Sequence, residues 1–184
     1  MRTAKIAIAL LGMVCAAPLP ASAAHWTVEI SKRRLGFGVS WSKQPFTADF
    51  KSWKANIDFD PADLAHAKAD VTIAIGSETS ADGETDEAIK GAEGFAADKF
   101  PQAHFVTTSF RFKGGNAYVA DGTLSLHGVT RPVTLPFTLT ITGNTAHMTG
   151  HAALMRTDFG LGAASTDPVA HEVTVNVDLT ATKQ

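Results

Sequence analysis

A chain of 184 residues with a single cysteine has no disulfide framework of its own and no set of thiolates for a metal site. That residue, Cys15, stands inside an apolar N-terminal stretch and follows Val14, where a lipoprotein site requires a small residue, so lipidation is not expected. Charge is also scarce. Only 18% of residues are charged, 16 basic against 18 acidic, which leaves a formal net charge of −2 and excludes a nucleic-acid surface built on a basic field. Beyond the N-terminal stretch no segment reaches the roughly 18 consecutive apolar residues of a membrane helix. At 45% apolar residues the composition is too hydrophobic for a disordered chain, and the length fits one domain with an ample core.

The first 23 residues read as a secretory signal. Arg2 and Lys5 form a basic start, Ile6 to Ala17 an apolar stretch, and Ala21-Ser22-Ala23 a small-residue cleavage site. The expectation is a signal peptide over 1–23, a mildly acidic mature domain over 24–184 that is soluble, and a periplasmic location.

From Trp26 onward apolar residues recur with period two, the mark of strands with one apolar face. Trp26, Val28 and Ile30, then Leu35, Phe37, Val39 and Trp41, predict two opening strands. Phe46, Ala48 and Phe50 are even-numbered, whereas Trp53, Ala55, Ile57 and Phe59 are odd. A bulge near Lys51-Ser52 would let both sets face one core. Asp60-Pro61 predicts a short turn of helix to about Ala67, and the acidic segment 82–99 predicts one or two short helices. Strands resume at Ala69 to Ile75 and from Val106, Thr108, Phe110 and Phe112 to the end, with hairpin turns at Gly114-Gly115-Asn116 and Gly143-Asn144. This gives an all-β domain of eight or nine mostly antiparallel strands, closed as a barrel or folded as a sandwich. An eight-stranded barrel is either filled by its side chains or hollow enough for one ligand. Ala55, Ala120, Ala146, Gly150 and Ala152 among the inward positions leave room, and both outcomes stay open.

Four segments carry a family resemblance: WKANIDFDPADLAHAKADVTIAIGSETSADGETDEAIKG from Trp53, FAADKFPQAHF from Phe95, YVADGTLSLHGVTRPVTLPF from Tyr118 and RTDFGLG from Arg156. Together, and in this order, they resemble the YceI-like proteins. The resemblance implies an eight-stranded antiparallel lipocalin-like barrel with a short helical insertion near 82–99. It implies a long apolar channel holding a polyisoprenoid or other long-chain lipid. FDPADL, AYVADGTL and PVTLPF resemble in particular the members found beside, or fused to, cytochrome b561-type membrane proteins, which implies an isoprenoid quinone as ligand and a membrane cytochrome as partner. The sequence departs from the family pattern at KRRLGF, from Lys32 to Phe37, and at Gly91 and Gly94.

Candidate lining residues are the inward set Phe37, Val39, Trp41, Trp53, Ile57, Val71, Ile73, Tyr118, Leu124, Leu135, Phe137, Met148 and Phe159. Any one of them is more often ordinary core than ligand contact, since cores are built from the same residue types. Ser40, Ser42, Lys43, Arg156 and Asp158 are candidates for a polar head group, with a turn-fixing role favoured for the last two. No covalent cofactor is expected, and a dimer and a monomer are both compatible with the sequence.

Catalytic and metal patterns are weak by comparison. His147 and His151 would converge on a helix, but in a strand they stand about 13 Å apart. His25, His66, His104, His127 and His171 lack the short spacings of a zinc site, and no GxSxG or HExxH occurs. GLGAAS at Gly160 to Ser165 lacks the lysine of a phosphate loop. Asp82, Glu84, Asp86 and Glu87 read as a solvated helix face or a calcium-tolerant loop. The expected function is therefore a non-enzymatic lipid carrier. Its alternatives are a non-catalytic periplasmic subunit docked on a membrane cytochrome, or a fatty-acid or amide binder.

Overall fold

The computed structural model describes residues 23–162 and 169–184; the expected signal peptide, apart from Ala23, and positions 163–165 of GLGAAS lie outside them. Ten strands and one α-helix follow in chain order. They are β1 (His25–Trp41), β2 (Gln44–Phe50), β3 (Trp53–Asp58), β4 (Lys68–Ala74), β5 (Glu78–Thr79), α1 (Gly83–Lys90), β6 (Gln102–Gly114), β7 (Ala117–Leu126), β8 (Val129–Thr142), β9 (Thr145–Met155) and β10 (Val169–Lys183).

Every pairing is antiparallel, and β10 returns to pair with β1, which closes the sheet. β2 and β3 lie end to end along one edge of β1, so the ten strands form an eight-stave barrel. Pairing of β10 with β1 removes the two outer edges an open sheet would have.

The parity changes in the sequence mark where the wall bends, though not always by the expected device. Trp26 to Trp41 is one strand, not two. Val28 faces Ala181 and Arg33 faces Leu179, so β1 advances five positions while β10 advances two. This odd excess turns the inward set from even to odd numbers and throws Ile30 out to solvent, 78% exposed. At Lys51-Ser52 the chain breaks instead of bulging. Lys51 N–H donates to the Ser77 carbonyl at 3.1 Å and Ser52 N–H to Ser77 Oγ at 2.9 Å. A third change was not expected. Thr107 faces Gly122 and Ser109 faces Asp121, so β6 gains one residue and the inward series runs Ala103, Phe105, Thr107, then Phe110. Val106 and Thr108 therefore belong to the other face.

The stretch after Asp60 forms turns, not helix. Asp60 Oδ1 accepts from the N–H of Ala62 at 2.9 Å, a local bond that competes with the helical ladder, while Leu64 and Ala67 are held against the core. The helical insertion is a single helix, α1, followed by turns to Lys99. Asp82 caps it by accepting from the N–H of Glu84. Both hairpin turns form as expected, with Gly143 at φ 59° between β8 and β9.

Candidate ligand channel

Seen from the strand directions, one barrel end carries the β1–β2 hairpin, α1 and the segment before β10. The other carries Phe59 and the β6–β7 and β8–β9 hairpins. Each end has its own aromatic cluster. At the first, Phe37 on β1, Phe50 on β2 and Phe95 after α1 form a triangle with ring centroids 5.8–5.9 Å apart, and Phe46 joins Phe37 to Trp41. At the second, Phe59 sits at 5.2, 5.6 and 6.4 Å from Phe110, Tyr118 and Phe137. Trp26 Nε1–H donates to the Phe59 carbonyl at 2.9 Å, which satisfies the buried indole and pins Phe59 in place.

Between the clusters the lumen is hollow. Its cavity of about 470 Å³ falls within the range of sites that hold small ligands. The space exists because Ala55, Ala120, Ala146 and Ala152 stand at inward positions where larger side chains would meet across the barrel. Two exposed lining residues, Trp41 (39%) and Ile141 (38%), belong to opposite rims, so the apolar surface runs from end to end. Along β10 the lining spans Val169 to Ala181, about 40 Å of strand, or about 30 Å along the axis at usual barrel tilts.

Of the thirteen expected lining residues, the lumen takes Phe37, Val39, Trp41, Trp53, Ile57, Val71, Ile73, Leu124, Leu135, Phe137, Met148 and Phe159. Tyr118 is the exception. It is buried, but it stacks on Phe137 at 5.5 Å beyond the lining, in the second aromatic cluster. The sequence reading missed Phe95, Phe46, Phe50, Phe59 and Phe105, which also line the lumen. Phe95 follows α1 in a loop without periodicity, and its only sequence signal is the FAADKF motif.

The polar groups at the lumen are few. Besides indole N–H groups, the described lining carries Glu93, Thr107 and Arg156. Thr107 Oγ1 is bonded to the backbone of Ala69. The Arg156 guanidinium donates to the carbonyls of Ala170, Leu161 and Val169 at 3.0, 2.7 and 3.0 Å, so it fixes the entry to β10, the structural role favoured for it. Ser42 and Lys43 make the β1–β2 turn with φ of 49° and 65°. His147 is engaged with Asp178 on the outer wall at 2.9 Å.

Two carboxyls near α1 behave differently from the solvated acidic face read from the sequence. Asp86 is buried, accepting from the Ser80 hydroxyl and N–H and from Thr79 Oγ1; these bonds, the Ser80 hydroxyl foremost, hold it below the usual carboxylate range. Glu78 is 1% exposed, and neither of its carboxyl oxygens has a partner. Burial pushes it up to about 7, with the Asp86 charge adding to the shift and Lys90 opposing it. Nothing in the periodicity singled out Glu78, because β5 is two residues long.

Comparison with known proteins agrees with this geometry. Residues 26–181 match the model of the YceI-like domain. A UPF0312 protein of Photorhabdus laumondii is 34% identical over 137 residues, covering 68% of this chain and 69% of the relative. One from Shewanella baltica is 32% identical over 130 residues, covering 69% and 68%. Among solved structures, BcnA of Burkholderia cenocepacia superposes with a TM-score of 0.80 at 31% identity, covering 84% of this chain and 99% of that one. A polyisoprenoid binding domain from Saccharophagus degradans, implicated in plant cell wall breakdown, gives 0.69 at 15% identity over 88% and 99%, a likeness of fold.

Proposed function

The chain belongs to the YceI-like family, and on that footing we propose that it is a non-enzymatic carrier that holds the tail of a long-chain isoprenoid lipid in its barrel, in the periplasm. The observation that carries the reading is the unfilled apolar lumen running between two aromatic clusters. A barrel packed solid would have served only as a scaffold or docking subunit. The Saccharophagus degradans domain, similar in fold, is a polyisoprenoid binding domain.

The energetics suit a carrier. Burying a methylene from water is worth about 0.8 kcal/mol, so a tail of about forty carbons taken from water would exceed the practical ceiling of about 20 kcal/mol for noncovalent binding. A prenyl lipid leaves a membrane, however, and exchanges one apolar setting for another. The net gain is small, and loading is reversible. The protein has to supply a dry lining and little more, and the inward faces of the strands form an apolar one.

Export rests on the signal pattern of residues 1–23. Within the lipid class, the resemblance of FDPADL, AYVADGTL and PVTLPF to members associated with cytochrome b561 is what supports an isoprenoid quinone as ligand and a membrane cytochrome as partner. Organic extraction and native mass spectrometry of the purified protein test the proposal. The expected result is a co-purifying prenyl lipid, with a quinone absorbance spectrum for the narrower reading. Repeated recovery of an apo form unable to take up any prenyl lipid from vesicles would overturn it.

A further inference from the structure

We propose that α1 is a pH-sensitive latch on the channel end: it lies against β5 while Glu78 is neutral and lifts when Glu78 ionises beside Asp86, opening the lumen to ligand exchange. The inference rests on the carrier reading and adds regulation to the same site. Its basis is where the helix stands. Ala88 and Ile89 of α1 line the lumen, and the turn that follows delivers Phe95 to Phe37 and Phe50. That turn is held to the helix, with Phe95 N–H donating to the Ile89 carbonyl at 2.7 Å. A movement of α1 therefore moves one side of the aromatic triangle.

Beneath the helix lies the buried acid. Glu78 pairs with Phe50 across the β2–β5 ladder, so the two share a face of the sheet. Its oxygens are enclosed and without partners, and a buried carboxylate in that state has neither water nor a hydrogen bond to stabilise its charge. β5 packs chiefly against β2 and α1. On β2 the one ionisable group is Asp49, which is engaged by Arg34 and Lys51 on the outer wall. On α1, Asp86 opposes ionisation of Glu78 and Lys90 favours it, while Glu84 and Glu87 are exposed to solvent. No cation satisfies Glu78 directly, and relief comes by letting water in. The wall above Glu78 is α1, a helix of eight residues held to β5 and Ser80 through the Asp86 carboxylate, so lifting it breaks those bonds.

Hydrogen exchange of the α1 amides, corrected for intrinsic pH dependence, tests this in the ligand-free protein. With a carboxyl near 7 when closed and near 4.5 when open, opening rises by about 30-fold between pH 5.5 and pH 8.5. In Glu78→Gln that rise disappears. In Lys90→Gln, which removes the favourable charge, the midpoint moves to higher pH; this arm decides the matter should Glu78→Gln fold poorly. Release of a dansylated farnesol probe from loaded protein follows the same curve. Flat exchange in the wild type, an unchanged rise in Glu78→Gln, or a midpoint in Lys90→Gln that stays or falls overturns the latch. Failure to bind the probe at any pH, with helix opening intact, sinks the carrier reading instead.

Discussion

Replacing Ala152 by phenylalanine puts a benzyl group into the middle of the barrel, and its consequence depends on whether that middle is empty. Ala152 is 5% exposed and lines the lumen, but it belongs to neither of the two tightly packed clusters of buried residues. In a filled core the added ring would force neighbours off their rotamers at a cost of about 1–3 kcal/mol. Here it enters a cavity of about 470 Å³. Burial of a phenylalanine side chain is worth about 1.5–3 kcal/mol, of which the existing methyl already supplies about 0.8. Ordering the ring takes back about 0.5–1 kcal/mol. The variant is therefore expected to be as stable as the wild type or more stable by about 1 kcal/mol. Urea unfolding of delipidated protein measures this, and uptake of a prenyl lipid from vesicles, run on the same samples, should fall because the ring occupies the path of the tail. A loss of more than about 1 kcal/mol would mean that the space is not there. Unchanged uptake in a well-folded variant would mean that ligand does not pass this point.

Glu78→Gln should abolish a pH trend in global stability. The folded carboxyl at about 7 lies above its ordinary 4.5, so the folded state holds the proton more tightly and stability drains away as pH rises between those values, by roughly 3 kcal/mol; denaturant midpoints at pH 4.5 and pH 8 should show this decline in the wild type and not in the variant. Gly122→Ala should destabilise the barrel by about 2 kcal/mol or more, since its methyl would sit 2.5 Å from the Val106 carbonyl oxygen and 2.8 Å from the Phe105 ring, and a wild-type melting temperature would contradict the close β6–β7 approach.

Much of the barrel was legible because a strand writes its two faces into alternate residues. Leu35 to Val39 and Leu135 to Leu139 could be assigned to the inner face from spacing alone, and twelve of the thirteen expected lining residues meet the lumen. Alternation reports only which face a residue occupies, however, and not what packs over it there. Tyr118 has the correct face, yet its ring packs among Phe59, Phe112 and Phe137 and does not border the cavity. Phase errors have the same origin. Counting by twos carries Val106 and Thr108 along with Phe110, and only the β7 partners, with Gly122 and Asp121 spaced more tightly than Thr107 and Ser109, show where the count slips.

The parts that were illegible are those that depend on contacts between segments distant in the chain. Phe95 and Glu78 have no periodic neighbours, and each takes its meaning from what the fold lays against it: Phe37 and Phe50 for the first, α1 and Asp86 for the second. Read along the chain, Glu78 and Asp86 are two acids among several in a polar stretch, and solvation is the natural inference. In space Asp86 is wrapped in three side-chain and backbone donor contacts from Thr79 and Ser80, while Glu78 is dry. That contrast decides which of them responds to pH. A carboxylate already satisfied by donors stays charged through the neutral range, whereas its unsatisfied neighbour has every reason to keep its proton until the helix above it gives way.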